Sequence, residues 1–200
     1  CKMLKFIIPM LIASCGPAEL KSNLKSADTN NNIVDTEPPE LGVNERDDCD
    51  QKALGSSVCN FVLLDQNGDY WNLYDHHGKV IILDFSTAWC YPCQMAAAHT
   101  QSVQDDYASD VIFVTLLIQG ETGLPATAED VATWVESHGI TTAPVLQASR
   151  EYIMDSAGIT GYLVGGYPTY VYLDRDLTIA YAHVGYSEEH MKNILDGLIQ

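Results

Sequence analysis

Residues 80–118 constrain the fold of this chain more than any other stretch. Residues 80–85, Val-Ile-Ile-Leu-Asp-Phe, are a near-continuous apolar run rich in β-branched side chains. A run of this kind predicts a strand buried on both faces. From Pro92 to about Tyr107 the pattern turns helical, with Met95, Ala98, Ser102 or Val103, and Tyr107 on one stripe. Residues 111–118 give a second buried strand. Strand, helix and strand joined by short links make a βαβ unit, so the two strands are predicted parallel, with a right-handed crossover.

Trp89-Cys90-Tyr91-Pro92-Cys93 falls where the first of these strands ends and the helix begins. Pro92 suits the first helical turn, where a missing N–H costs nothing. Unpaired N–H groups and partial positive charge at the helix start favour a thiolate at Cys90. Cys93, one turn further in, is predicted to be the more buried thiol. The pair therefore reads as an exposed nucleophile, Cys90, and a covered resolving cysteine, Cys93.

The remaining cysteines divide by context. The chain has 200 residues and six cysteines. Cys1 precedes the plausible initiator Met3 and has no assigned role. Lys2 and Lys5 flank Met3, and an apolar run over residues 4–12, broken by Pro9, leads to Ile12-Ala13-Ser14-Cys15. A positive start, a short apolar centre and small residues before a cut form an export signal, too short to span a bilayer. Residues 12–15 resemble a bacterial lipobox. That implies a lipoprotein signal peptide over residues 1–14 and a lipid on Cys15; a non-lipidated secretory signal is the alternative. Residues 15–50, rich in Asn, Asp, Glu, Ser and Pro, are predicted to be a disordered acidic tether.

Export implies an oxidising compartment. Cys49 and Cys59 then read as a structural disulfide at the junction of tether and domain. A second redox pair, or a resolving partner for Cys90, is the alternative. Zinc held by all four cysteines is disfavoured, because the pairs lie on unlike elements. No cofactor and no metal is expected. Twenty-seven acidic against ten basic residues give a net charge of −17. Phosphates are repelled by such a surface, which argues against nucleic acid and anionic membrane surfaces as partners.

The remainder of the chain adds a hairpin and a C-terminal half. Residues 60–64 and 70–73 are predicted to pair across the turn at 65–69. Further on, residues 170–173 and 179–184 read as apolar strands, and residues 188–199 as a final amphipathic helix.

Asp84-Phe85 followed by Trp89-Cys90-Tyr91-Pro92-Cys93 resembles the active-site segment of thioredoxin-fold proteins. Gly166-Tyr167-Pro168-Thr169 before an apolar strand resembles their cis-proline loop, and Gly185 resembles a glycine of that fold. The resemblance covers about residues 58–200 and is nearest to the exported TlpA/ResA-like thiol–disulfide oxidoreductases, a redoxin or AhpC-TSA-like domain. It implies an α/β thioredoxin-like domain over residues 51–200. That domain would have a central mixed β-sheet, parallel at its centre with antiparallel edges, and helices on both faces. It would also carry an extra N-terminal hairpin and a helical insertion at residues 120–166, with a helix near 128–138, a short strand at 144–146 and a helix near 151–158.

The resemblance also implies roles. Cys90 attacks a client disulfide and Cys93 resolves the mixed disulfide. Asp84, buried and raised in pKa, exchanges a proton with Cys93; the lysine that neighbours this acid in thioredoxins has no counterpart in residues 111–119. Trp89, Tyr91, Pro92, Tyr167 and a cis Pro168 would contact the substrate. A glutamate that tunes ResA-like sites is matched only by Gln119 or Glu121. The implied function is reduction of client protein disulfides in the cell envelope, fed by a membrane electron donor, with the membrane reached through the anchor on Cys15. A copper metallochaperone of SCO type using Cys90, Cys93 and His183 is the alternative, although such proteins space their cysteines CxxxC. Peroxiredoxins share the fold, but their Thr-x-x-Cys has no match in Ser86-Thr-Ala-Trp-Cys90.

Overall fold

The computed structural model describes residues 49–156 and 161–200. The expected signal segment 1–14, the expected lipid site at Cys15 and residues 15–48 of the expected tether lie outside the described residues. No helix among the described residues is long and apolar enough to cross a membrane.

Strand β1 (Val62–Leu64) pairs antiparallel with β2 (Tyr70–Asn72) as a separate hairpin. Asp65 closes its turn by accepting the Asn67 and Asp69 amides. Strand β3 (Val80–Thr87) follows, then helices α1 (Tyr91–Ala97) and α2 (Thr100–Asp106), strand β4 (Val111–Gln119), helix α3 (Ala128–His138) and strand β5 (Val145–Gln147). Short strands β6 (Ile153–Met154) and β7 (Tyr162–Leu163) pair in parallel. Strands β8 (Thr169–Leu173) and β9 (Ile179–Val184) and helix α4 (Glu188–Leu198) complete the chain.

The main sheet has the order β5-β4-β3-β8-β9. Its β5-β4-β3 half is parallel and its β3-β8-β9 half antiparallel. The expected parallel centre with antiparallel edges is therefore corrected: edge strand β5 is parallel, and the change of sense falls at β3. Every residue of β3 is buried, as the apolar run requires of a strand with neighbours on both sides and layers on both faces.

Alternation along the strands sorts the two layers. Ile81, Leu83 and Phe85 meet the hairpin and the 148–164 segment, with Phe61, Trp71 and Tyr162 among the packed side chains. Val80 and Ile82 face the opposite layer, where Val103 of α2 and Met191 and Leu195 of α4 pack. Beside them Cys93 and Ala97 of α1 and Val131 and Trp134 of α3 meet Leu117 and Val145. All four α-helices among the described residues thus lie on one face. The hairpin face receives two 3-10 turns, Leu73–His76 and Arg150–Tyr152.

Two helix expectations are corrected. The helix over 92–107 breaks after Ala97, and its buried side is Cys93, Ala96, Ala97, Thr100, Val103 and Gln104 rather than the Met95 stripe. Small residues at 96 and 97 let the helix approach the sheet, while Met95 points to solvent. In place of a helix near 151–158 there is the 3-10 turn and β6; residues 157–160 lie outside the described residues. Helix α3 matches its expectation, with a capping box between Thr127 and Asp130 and Gly139 in the left-handed conformation at its end.

Cys49 is bonded to Cys59. Within this loop Gly55 N–H donates to Ile179 and the Ile179 N–H to Ser56, so the bridged segment clasps the start of β9. Replacing both cysteines with alanine is expected to lower stability by about 3 kcal/mol, the loop-closure entropy of a ten-residue separation. Urea denaturation followed by far-UV circular dichroism checks this, and an unchanged midpoint would remove the staple.

Candidate active site

Strand β3 carries Asp84 and delivers the chain to Cys90 at the N-cap of α1, with Pro92 in the first turn. Cys90 and Cys93 are joined as a disulfide. The Cys93 N–H donates to Cys90 Sγ at 3.3 Å, so a helix-terminal amide already points at the sulfur that would bear negative charge. Cys93 is fully buried, and Cys90 is 5% exposed. Cys90 is more covered than expected of a nucleophile, because a loop from the far end of the chain lies over it.

That loop is 164–168. The Tyr167–Pro168 peptide bond is cis, and the Tyr167 carbonyl oxygen lies 3.6 Å from Cys90 Sγ. Thr169 Oγ1 donates to the Gly166 carbonyl at 2.6 Å. Gly185 N–H donates to the Pro168 carbonyl at 2.8 Å. Gly185 has φ 85°, a conformation open to glycine at little cost. Pro168 is buried and Tyr167 half-buried. Tyr91 and Pro92 are exposed beside the pair.

Trp89 is 47% exposed and stands edge-on to the Tyr167 ring, with centroids 5.9 Å apart. Its indole N–H donates to Gln119 Oε1 at 3.2 Å. Gln94 Nε2 donates to the Ala88 carbonyl at 2.6 Å, tying α1 to the loop before the cysteines. An open cavity of about 560 Å³ adjoins this corner, lined by Trp89, Gln119, Met154, Leu163 and Tyr167 among others. Glu121 lines a different cavity, with Gln94 and Trp134.

Asp84 is 1% exposed. Burial pushes its carboxyl up to about 7, against the opposing effect of hydrogen bonds from Ser86 and Thr115. Ser86 Oγ donates to Oδ1 at 2.7 Å and Thr115 Oγ1 to Oδ2 at 3.3 Å. No cation is among these partners, which leaves desolvation dominant.

His183 is not part of this corner. Its Nε2 lies 3.0 Å from Tyr172 Oη, and its ring packs against Tyr170 and His190 on the α4 side of the sheet. No group of three His, Cys, Asp or Glu side chains among the described residues could hold a metal ion. The copper reading, which needs Cys90, Cys93 and His183 together, has no geometric support.

Sequence reasoning missed the partners of Asp84 and the side-chain bonds of Gln94 and Gln119. Ser86 was legible in principle, since strand alternation puts residues 84 and 86 on one face. Thr115 needed the β3–β4 register, which pairs it with Asp84.

A five-stranded mixed sheet, a dithiol at a strand-to-helix junction and a cis-proline loop across it define a thioredoxin-fold protein. The AhpC/TSA family model matches residues 54–182, and the chain belongs to the AhpC/TSA family. It is 28% identical over 144 residues to the thioredoxin-like protein YneN of Bacillus subtilis, covering 71% of this chain and 78% of that one. To thiol-disulfide oxidoreductase ResA of Geobacillus kaustophilus it is 27% identical over 124 residues, 62% of this chain and 65% of the relative. Among solved structures, the pneumococcal exposed lipoprotein thioredoxin of Streptococcus pneumoniae superposes with a TM-score of 0.56 at 25% identity, covering 70% of this chain and 97% of that one.

Proposed function

We propose that this chain is a thiol–disulfide oxidoreductase that reduces disulfides of client proteins in the cell envelope. The observation that carries the reading is the buried-strand-to-helix dithiol under the cis-proline loop, with a helix amide directed at Cys90 Sγ. The Cys90 thiolate attacks one sulfur of a client disulfide. The client S–S bond breaks, a mixed disulfide forms, and the departing client thiolate takes up a proton. Cys93 then loses its proton and attacks Cys90 Sγ. The Cys90–Cys93 bond forms and the second client thiol leaves, so two electrons pass from the protein to the client. Asp84, poised near neutral pH, receives the Cys93 proton. Trp89, Tyr91, Pro92 and the 167–168 backbone form the surface a client meets, with Tyr167 offering backbone groups to an extended segment.

The export-signal pattern and the lipobox resemblance support a domain that works outside the cytoplasm, anchored through Cys15 and re-reduced by a membrane electron donor. Kinship with ResA and with a lipoprotein thioredoxin supports that setting.

The test is the reduction potential of the Cys90–Cys93 pair in the full chain, by equilibration with dithiothreitol, alongside insulin reduction. A potential near thioredoxin's, about −270 mV, is expected, with insulin reduced. A value near DsbA's, about −120 mV, would make the protein an oxidant and reverse the direction of transfer. Absence of exchange with insulin would remove the activity.

A further inference from the structure

Ala88 is held by both of its backbone polar groups. Its N–H donates to the Gln119 carbonyl at 2.8 Å, and its carbonyl accepts Gln94 Nε2 at 2.6 Å. Ala88 is buried and Gln94 half-buried. The Gln94 bond closes a ring around the dithiol. It joins residues 88 and 94, whereas the disulfide joins 90 and 93, so the ring closed by the side chain encloses the covalent one. Inside it the Cys90 N–H donates to the Thr87 carbonyl at 3.2 Å, and the Cys90 carbonyl accepts the Cys93 and Gln94 N–H groups. Both sulfurs, and the Cys93 amide that meets Cys90 Sγ, lie between the two ends of this clamp.

The two closures respond differently to reduction. When the S–S bond takes up two electrons and two protons, it becomes two thiols and the covalent ring opens. The hydrogen-bonded ring contains no bond that reduction breaks. Helix α1 has seven residues, too few to hold its own first turn in water, and a turn set loose regains conformational freedom. While the disulfide is intact, the Gln94 bond restrains a turn that is already restrained. Once the disulfide is broken, the same bond keeps Cys90 at the helix start, within reach of the Cys93 amide. A closure removes more freedom from a chain that no other link already closes. The Gln94 bond therefore stabilises the dithiol more than the disulfide.

We propose that Gln94 is a positioning residue that sets the reduction potential of the Cys90–Cys93 pair, clamping the turn through the Ala88 carbonyl preferentially in the reduced form. It makes the disulfide easier to reduce, and so easier to recharge between clients. That use of the clamp rests on the exchange reaction proposed above; the effect on the potential does not.

The test compares the full chain with Gln94→Met, whose side chain has similar length and no donor. Each is equilibrated with mixtures of reduced and oxidised dithiothreitol, and the dithiol fraction is read by alkylation and the mass of the peptide carrying residues 90–93. At a given mixture the variant's dithiol-to-disulfide ratio is expected to be about fivefold lower, on the scale of one hydrogen bond. That is about 20 mV toward more negative potential. Gln94→Lys restores a donor of similar reach; in about 1 M salt, which screens its charge, it is expected to return to the parent potential. Urea denaturation closes the cycle, with the Cys49–Cys59 bridge intact throughout. Gln94→Met should destabilise the form with the reduced pair more than the oxidised form, by the same fivefold factor in the folding constant. An unchanged or less negative potential in Gln94→Met would overturn the clamp, as would Gln94→Lys behaving like Gln94→Met. Equal losses of stability in the two forms would make Gln94 a structural residue only and overturn it as well. Insulin left intact by a chain whose potential still responds to Gln94 would instead sink the oxidoreductase reading and leave the clamp standing.

Discussion

Changing Cys93 to serine is expected to arrest the reaction halfway, with the client held on Cys90 as a mixed disulfide. Cys93 has no exposed surface, while Cys90 is the sulfur at the helix start that receives an amide N–H. Cys90 keeps 5% of its surface exposed and Cys93 none, so a client can reach Cys90 but not Cys93. The attacking role therefore falls to Cys90 and the resolving role to Cys93. Serine at 93 keeps the size of the side chain and the helix amides but cannot displace a thiolate. Incubating the reduced variant with insulin, quenching with acid and separating on a non-reducing gel should show a covalent adduct that dithiothreitol releases. Cys90→Ser should form no adduct and lose turnover by more than about a thousandfold, the scale on which removing a nucleophile acts. An adduct formed by Cys90→Ser and not by Cys93→Ser would invert the assignment.

Asp84→Asn is expected to make the protein more stable and less active, both effects depending on pH. The folded carboxyl sits near 7 because burial penalises its charge, against an ordinary value of 3.8. The sign follows from linkage. A carboxyl raised in the folded state contributes stability that is fully present below its ordinary value and lost as pH climbs through the folded one. Between pH 4 and pH 8 that loss is about 4 kcal/mol from this one group. Asparagine carries no charge to bury; its single oxygen can accept from Ser86 while its amide N–H donates to Thr115 Oγ1. The variant's advantage in urea should therefore be near zero at pH 4 and grow to a few kcal/mol at pH 8. Activity should move the other way. Without a proton acceptor the resolving step slows by roughly a hundredfold near pH 7. The deficit shrinks as rising pH ionises Cys93 directly. Parallel urea curves at the two pH values, with an unshifted pH–rate profile, would show that Asp84 is an ordinary buried acid.

Much of this site was legible in order along the chain. The run 80–85 could be little other than a buried strand, and Pro92 marks a helix start two residues after Cys90. The acid at position 84 and the glycine–tyrosine–proline segment at 166–168 were equally readable. The interruption at Ala98 and His99 was not, since Ala-Ala-Ala-His-Thr carries no breaker and the structure shows no side-chain cap there. The insertion failed for a related reason. Residues 151–155 look helical taken alone, yet pairing of β6 with β7 claims the backbone of Ile153 and Met154, and tertiary pairing overrides a weak local preference.

By itself the sequence determined the order of strands and helices and the place of the dithiol among them. Those follow from apolar periodicity and from proline and glycine, which act within a turn or two of chain. What meets the dithiol was decided by tertiary structure. Tyr167 reaches Cys90 across 77 residues, Thr115 reaches Asp84 across 31, and Gln119 reaches Trp89 across 30. These contacts depend on sheet order and strand register, which bring distant segments together only once the core has packed. The raised acid, the covered nucleophile and the walled cavity are consequences of that packing. A shift of register by one residue would turn Thr115 to the other face of the sheet and leave Asp84 buried with one partner fewer.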